Sequence, residues 1–208
     1  MKSILVNKIN LEAKSFKNIK NSFLDIAWNN VNEINWQEQY PYCPEVKFQI
    51  AYDEENIYLH YHVEEEFVKA TYIRANENVW EDSCVEFFIS FDNKKTYYNL
   101  EFNVLGTGLI GYGPAVKSER KRLSAEIIDS VNVFTEIYKI DGKKTWEIYL
   151  AIPLNVFGES SLKDKKLHAN FYKCGDNLPN PHFISWNKIE SAKPNFHLPE
   201  FFGEIHFK

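Results

Sequence analysis

Cysteine is scarce in this chain: three residues, Cys43, Cys84 and Cys174, in a length of 208. An odd number cannot pair fully within the chain, and their spacing matches no CxxC metal or redox pattern, so a reducing, cytoplasmic setting is the expectation. A chain trimmed of a leader would read the same way and belong outside the cytoplasm. Methionine is scarcer still. Met1 is the only one, which removes the Met/His axial pair of a cytochrome-like haem site and leaves only bis-His ligation open. Long apolar runs are missing too: the stretch from Ile4 to Val6 stops at Asn7 and Lys8, too short for a signal-peptide core or a membrane span. There is no basic excess, and a formal charge of -5 with a pI near 5.7 argues against a nucleic-acid partner. The one basic cluster, Lys117 with Arg120, Lys121 and Arg122, reads as a solvated loop.

No linker, internal repeat or low-complexity segment divides the chain. The expectation is one domain over 1-208, with 1-44 as an N-terminal strand and helix extension. What is abundant is aromatic side chain, 16% of residues, more than packing alone needs and a first hint of a recognition face. Phe16, Ile19, Phe23 and Ile26 recur at helical spacing behind Ser15, which predicts one amphipathic helix over residues 15–28. From Val46 the period changes to two. Val46, Phe48, Ile50 and Tyr52 alternate with polar or small residues, the Asp53-Glu54-Glu55-Asn56 run turns the chain, and Ile57, Leu59, Tyr61 and Val63 alternate again. Further strands are predicted over 84–91, 97–105, 109–112, 131–140, 144–152, 167–174 and 202–207, with Asp141-Gly142 as a hairpin turn. Short strands with tight turns and a single early helix predict an all-β, antiparallel β-sandwich of jelly-roll type.

Catalytic signatures are absent: no P-loop, GxGxxG, GxSxG or HExxH occurs. The glycine-rich GTGLIGYG stretch from Gly106 to Gly113 reads as strand and turn. In the segment from Cys84 to Phe91, the alternation puts Val85, Phe87, Ile89 and Phe91 in the core and turns Glu86 outward. Tyr98, Leu100, Phe102 and Val104 take the core on the next strand, leaving Asn99, Glu101 and Asn103 on the same outer face as Glu86. Amides and carboxylates clustered on a sheet can hydrogen-bond vicinal hydroxyls, each both donor and acceptor. Trp80 and Trp186 lie in or beside loops, whereas Trp146 alternates with Ile148, Leu150 and Ile152 and belongs to the core, and Trp28 and Trp36 beside the helix read as core or staple residues. Asp82 reads as a turn cap and Asp53 to Glu55 as a solvated acidic turn, rather than as calcium ligands. Lys173, Cys174 and Asp176 could be read as an enzymatic trio, but a cysteine nucleophile needs a placed histidine, for which His182 and His197 are the candidates.

The run VWEDSCVEFF, then YYNLEFN, WEIYLAIP, NFYKCGD, PHFISW and FHLPEFFGEIHF, resembles the carbohydrate-binding module family 9-like proteins, relatives of the DOMON-like sandwiches, over roughly residues 45 to 208. The resemblance implies a β-sandwich that holds a terminal mono- or oligosaccharide unit between two tryptophans and does no chemistry. Trp80 and Trp186 match the paired aromatic positions, and Glu86 matches a carboxylate that contacts sugar hydroxyls. Arg74, Asn103 and Lys173 are added as ligand-binding candidates by their placement in this sequence. Better-known members carry structural calcium, which the resemblance alone implies here; the residues themselves point to no cofactor. Two other readings stand beside this one. Glu86 and Glu101 could serve as the carboxylate pair of a glycosidase, or the sandwich could be an interaction scaffold with no sugar ligand.

Overall fold

The computed structural model describes residues 1–208. Its strands are β1 (Ser3–Lys8), β2 (Asn29–Asn30), β3 (Glu33–Ile34), β4 (Glu45–Tyr52), β5 (Asn56–Glu65), β6 (Cys84–Ser90) and β7 (Tyr97–Asn103). They continue with β8 (Gly108–Gly113), β9 (Lys121–Arg122), β10 (Asn132–Ile140), β11 (Lys143–Pro153), β12 (Lys166–Cys174), β13 (Phe183–Ser185) and β14 (Gly203–Phe207). Two helices interrupt them, α1 (Phe16–Ser22) and α2 (Ala125–Asp129). Each long strand begins and ends within two residues of where the period-two pattern places it. The β10–β11 hairpin turns at Asp141 and Gly142, with φ of 50° and 85°, the doubly positive geometry that glycine and aspartate tolerate.

The strands form one curled sheet in the order β10-β11-β5-β4-β1-β14-β12-β6-β7-β8-β9. The expected architecture was antiparallel throughout; the sheet is mixed, because β1 runs parallel to both of its neighbours. Ser3 to Val6 pair with Glu204 to Phe207 of β14, then Asn7 and Lys8 pass over to Ala51 and Tyr52 of β4. β1 thereby joins two halves that face each other. Phe48 of β4 stacks on Phe171 of β12 with ring centroids 3.8 Å apart, and the Tyr61 hydroxyl donates across the interior to the Glu86 carbonyl at 2.8 Å. Both halves contribute to one buried cluster that includes Val85, Phe87, Leu100, Phe102, Trp146 and Ile148.

The expected helix over 15–28 is shorter and is not the only one. The Ser15 hydroxyl caps α1 by accepting from the Asn18 amide at 3.3 Å, and Ile19 and Phe23 bury against Tyr58 and Tyr149 on the outer face of β5 and β11. The helix ends at Ser22, and the carbonyl of its C-cap Phe23 accepts from the Gln49 side-chain amide at 2.8 Å. The chain then turns to lay Asn29 and Asn30 beside β4. Trp146 and Trp36 are buried as expected, but Trp28 is not core: it is 42% exposed, resting on His60 with the Lys47 ammonium 4.9 Å from its ring centre. No helix is long and apolar enough to cross a membrane.

Candidate functional site

The outer face of β6, β7 and β8 forms the floor of a cavity of about 390 Å³. Pairing puts Glu86 directly opposite Glu101 and Phe88 opposite Asn99, while Glu101 and Asn99 face Leu109 and Gly111 on β8. Glycine at 111 is required by close approach: a Cβ there would lie 2.5 Å from the Asn99 Oδ1. The walls come from elsewhere in the chain. Half-buried Trp80 sits on a single 3-10 turn, Val79–Glu81, just before β6, and its carbonyl accepts from the Asp176 amide at 3.1 Å. Phe183, Phe196 and His197 close another side, and Lys117, Arg120, Lys121 and Arg122 arrive with the segment leading into the edge strand β9.

The floor is dry enough to change its own protonation. Burial pushes the Glu86 carboxyl well above the carboxylate range, with Cys174 and Glu101 beside it adding to the effect. Its Oε1 accepts from the Cys174 thiol at 3.1 Å. Burial likewise lifts Glu101 to about 7, against the pull of the Asn99 amide, which donates to it at 2.8 Å, and of Arg122 and Arg120. Asp176 is raised to about 7 by burial and then by Glu81. His197, lowered to about 3 by burial and by Arg120 and Lys117, is neutral and shares a 2.8 Å hydrogen bond with the Tyr97 hydroxyl. The floor therefore presents two carboxyls whose ionised forms burial disfavours and an amide side by side. That is a mixed set of donors and acceptors suited to hydroxyl groups.

Of the six residues assigned from sequence, the structure brings Trp80 and Glu86 into this cavity. The other four lie elsewhere. Trp186 is a correction: it is 3% exposed, edge-on to Phe48 and Phe171 inside the sandwich, because it follows directly on β13, which pairs antiparallel with β12, and its amide donates to the Phe171 carbonyl at 2.8 Å. Lys173 is a correction by strand parity. It shares the inner face with Phe171, and its ammonium lies 2.9 Å from Glu65 and 2.8 Å from the His182 Nε2, fully buried between the two halves of the sheet. Asn103 is buried under the loop before β6, donating to the Tyr72 carbonyl at 2.8 Å and to Asp82 at 3.0 Å. Arg74 points to solvent with its side chain 82% exposed, 3.8 Å from Glu77.

Several lining residues escaped the reading of the sequence. Asn99, legible only as outward-facing, and Glu101, offered by the sequence only as half of a hydrolytic pair, both line the floor, and the basic cluster expected as a solvated loop lines the rim. Nothing in the one-dimensional pattern brings residues 117–122 over a floor made by residues 86–101; only the β8–β9 pairing does. Asp82 does not cap its own turn as expected: fully buried, it accepts from the Thr71 and Tyr72 amides of the preceding loop at 2.9 and 3.0 Å. Asp53 caps its own turn, accepting from the Glu55 and Asn56 amides at 2.8 and 2.7 Å, while Glu54 and Glu55 pair with Lys8 and Lys14. The three side chains closest to a ligand cluster, Cys84, Glu86 and Cys174, have donor atoms within 4.8 Å of one another. Two of them are thiols, so that cluster does not fit calcium, which takes an all-oxygen shell.

A β-rich scaffold with a small polar cavity walled by aromatic rings defines a small-molecule binding module. The Carbohydrate-binding family 9 profile matches residues 17–207, and the chain belongs to that family. It is similar over its whole length to a Bacteroides uniformis protein proposed to bind carbohydrate, at 38% identity, 99% coverage of that chain and a TM-score of 0.91. It shares its fold with a family 9 module of Caldicellulosiruptor kristjanssonii solved with glucose and with cellotriose. In both cases identity is 15% and the TM-score 0.60, with all of this chain and 96% and 94% of the other chains aligned. No functionally curated protein sequence matches it.

Proposed function

We propose that this protein binds a terminal unit of a mono- or oligosaccharide in the cavity between Trp80 and the β6–β7–β8 floor, and performs no chemistry on it. What supports this reading is the junction of one half-exposed indole with a floor of paired carboxyls and an amide. A pyranose has an apolar face of C–H groups and a rim of hydroxyls, so it needs both an aromatic platform and groups that donate and accept. Burial favours the protonated form of Glu86, which donates as well as accepts; Glu101 and Asn99 complete the floor; Phe183 and Phe196 supply apolar wall where a second tryptophan is expected. Glucose and cellotriose, the ligands in the modules of the same fold, are the first probes.

Hydrolysis remains the competing reading because Glu86 and Glu101 are neighbours in register. Both rise from one floor on adjacent strands, so they meet a bound sugar from the same side, whereas a glycosidase places its carboxyls on either side of the scissile bond. The test is a saturation titration with mono- and oligosaccharides alongside a turnover assay on aryl glycosides and xylo-oligosaccharides. Saturable binding without turnover is expected. Turnover that disappears in both Glu86→Gln and Glu101→Gln would replace the binding reading with an enzymatic one.

A further inference from the structure

The rim of the cavity has a charge that the chain as a whole does not. Net charge is -5, yet Lys117, Arg120, Lys121 and Arg122 all line one small cavity. Two of them are committed to structure. Arg120 donates to the Gly113 and Pro114 carbonyls at 2.7 and 2.8 Å and to Asn99, with its guanidinium 3.9 Å from the Tyr97 ring centre. Arg122 donates to the Asn76 carbonyl and lies 5.7 Å from the Trp80 ring centre, which places a cation beside the aromatic platform. Lys117 and Lys121 are exposed and have no carboxylate within ion-pair distance. The acidic groups of the same cavity offset this charge only in part, because Glu86, Glu101 and Asp176 are buried and burial holds their carboxyls above the usual carboxylate range, Glu101 and Asp176 at about 7.

Resting on the assignment of this cavity to sugar binding, we propose that its preferred ligand is a saccharide carrying an anionic group, which meets Lys117 and Lys121 at the rim while the ring packs on Trp80. A neutral sugar gives those two ammoniums nothing that water does not. A carboxylate, sulfate or phosphate on the ring gains attraction from them and from Arg122.

The experiment compares glucose with glucuronate, glucose 6-sulfate and glucose 6-phosphate, and galactose with galacturonate, by calorimetric titration at low and at high salt. At least one anionic sugar should bind about three- to tenfold more tightly than its neutral parent at low salt, the range set by two rim ion pairs. The three acidic groups distinguish a uronate site from a sulfate or phosphate site. The preference should shrink at high salt, and the ratio of anionic to neutral affinity should fall to about one in Lys117→Ala/Lys121→Ala while persisting in Lys139→Ala, a remote exposed lysine. Equal affinity for both classes, or a preference that survives the double substitution, would overturn the proposal and leave the sugar site standing. No binding of any sugar in the panel would overturn both.

Discussion

Glu86 and Glu101 stand directly opposite each other on β6 and β7, two buried carboxyls side by side on the floor of the cavity. Like charges in that position repel, and burial disfavours both ionised forms, so the pair keeps protons that an unfolded chain would release. The native state thus binds more protons than the unfolded state between about pH 4.5 and 7, and stability falls as pH rises through that window.

Glu101→Gln should remove that cost while keeping the shape and the hydrogen bond to Asn99. The variant should match the parent in denaturant melts near pH 4.5 and exceed it by on the order of 2 kcal/mol at pH 8. A difference that is flat across pH would mean that Glu101 is not a raised carboxyl.

Lys173 supports the sandwich rather than the ligand. Its ammonium bridges to Glu65, whose other oxygen accepts from the Trp146 indole at 2.7 Å, so the pair ties β12 to β5 and β11. Lys173→Met leaves a buried, uncompensated carboxylate and should cost ~3–5 kcal/mol, of which adding Glu65→Gln should recover part. Chemical denaturation of the two variants and the parent checks this. A Lys173→Met protein as stable as the parent would contradict the assignment.

Asn103 and Arg74 separate burial from exposure. All polar atoms of the Asn103 side chain are used internally, its oxygen accepting from the Leu105 and Thr107 amides at 3.1 and 3.0 Å. Asn103→Ala should therefore destabilise by ~2–3 kcal/mol and loosen the loop held through Asp82, which hydrogen exchange at Thr71 and Tyr72 would register. Arg74→Ala should change stability by less than about 0.5 kcal/mol. The reverse order of effects would contradict both placements.

The alternation of Val46 to Val63, of Val85 to Phe91 and of Trp146 to Ile152 was enough to place the strands, because each buries one face and period two is a local property. The mixed topology was not legible. That β1 runs parallel between β14 and β4 depends on pairing across nearly the whole length of the chain. The site divides in the same way. Glu86, Asn99 and Glu101 follow from the parity of one hairpin, and the family motifs mark Trp80. Trp186 misled because a loop position in sequence says nothing about what packs over it, and Lys173 because its polarity concealed an inward parity shared with Phe171. The rim lysines carry no local signal; the fold alone delivers them.

The central claim is that Trp80 is the tryptophan platform of a sugar site built on Glu86, Asn99 and Glu101. It is tested most directly by titrating the Trp80→Ala protein and its parent with the saccharide panel, with thermal melts of both and of Trp186→Ala. Trp80→Ala should keep the parent's melting behaviour and lose about 1 kcal/mol or more of binding, roughly five- to tenfold in affinity. Trp186→Ala, which empties a core site, should lose ~3–5 kcal/mol of stability. Unchanged sugar affinity in Trp80→Ala, or a Trp80→Ala protein that unfolds as readily as Trp186→Ala, would contradict the account.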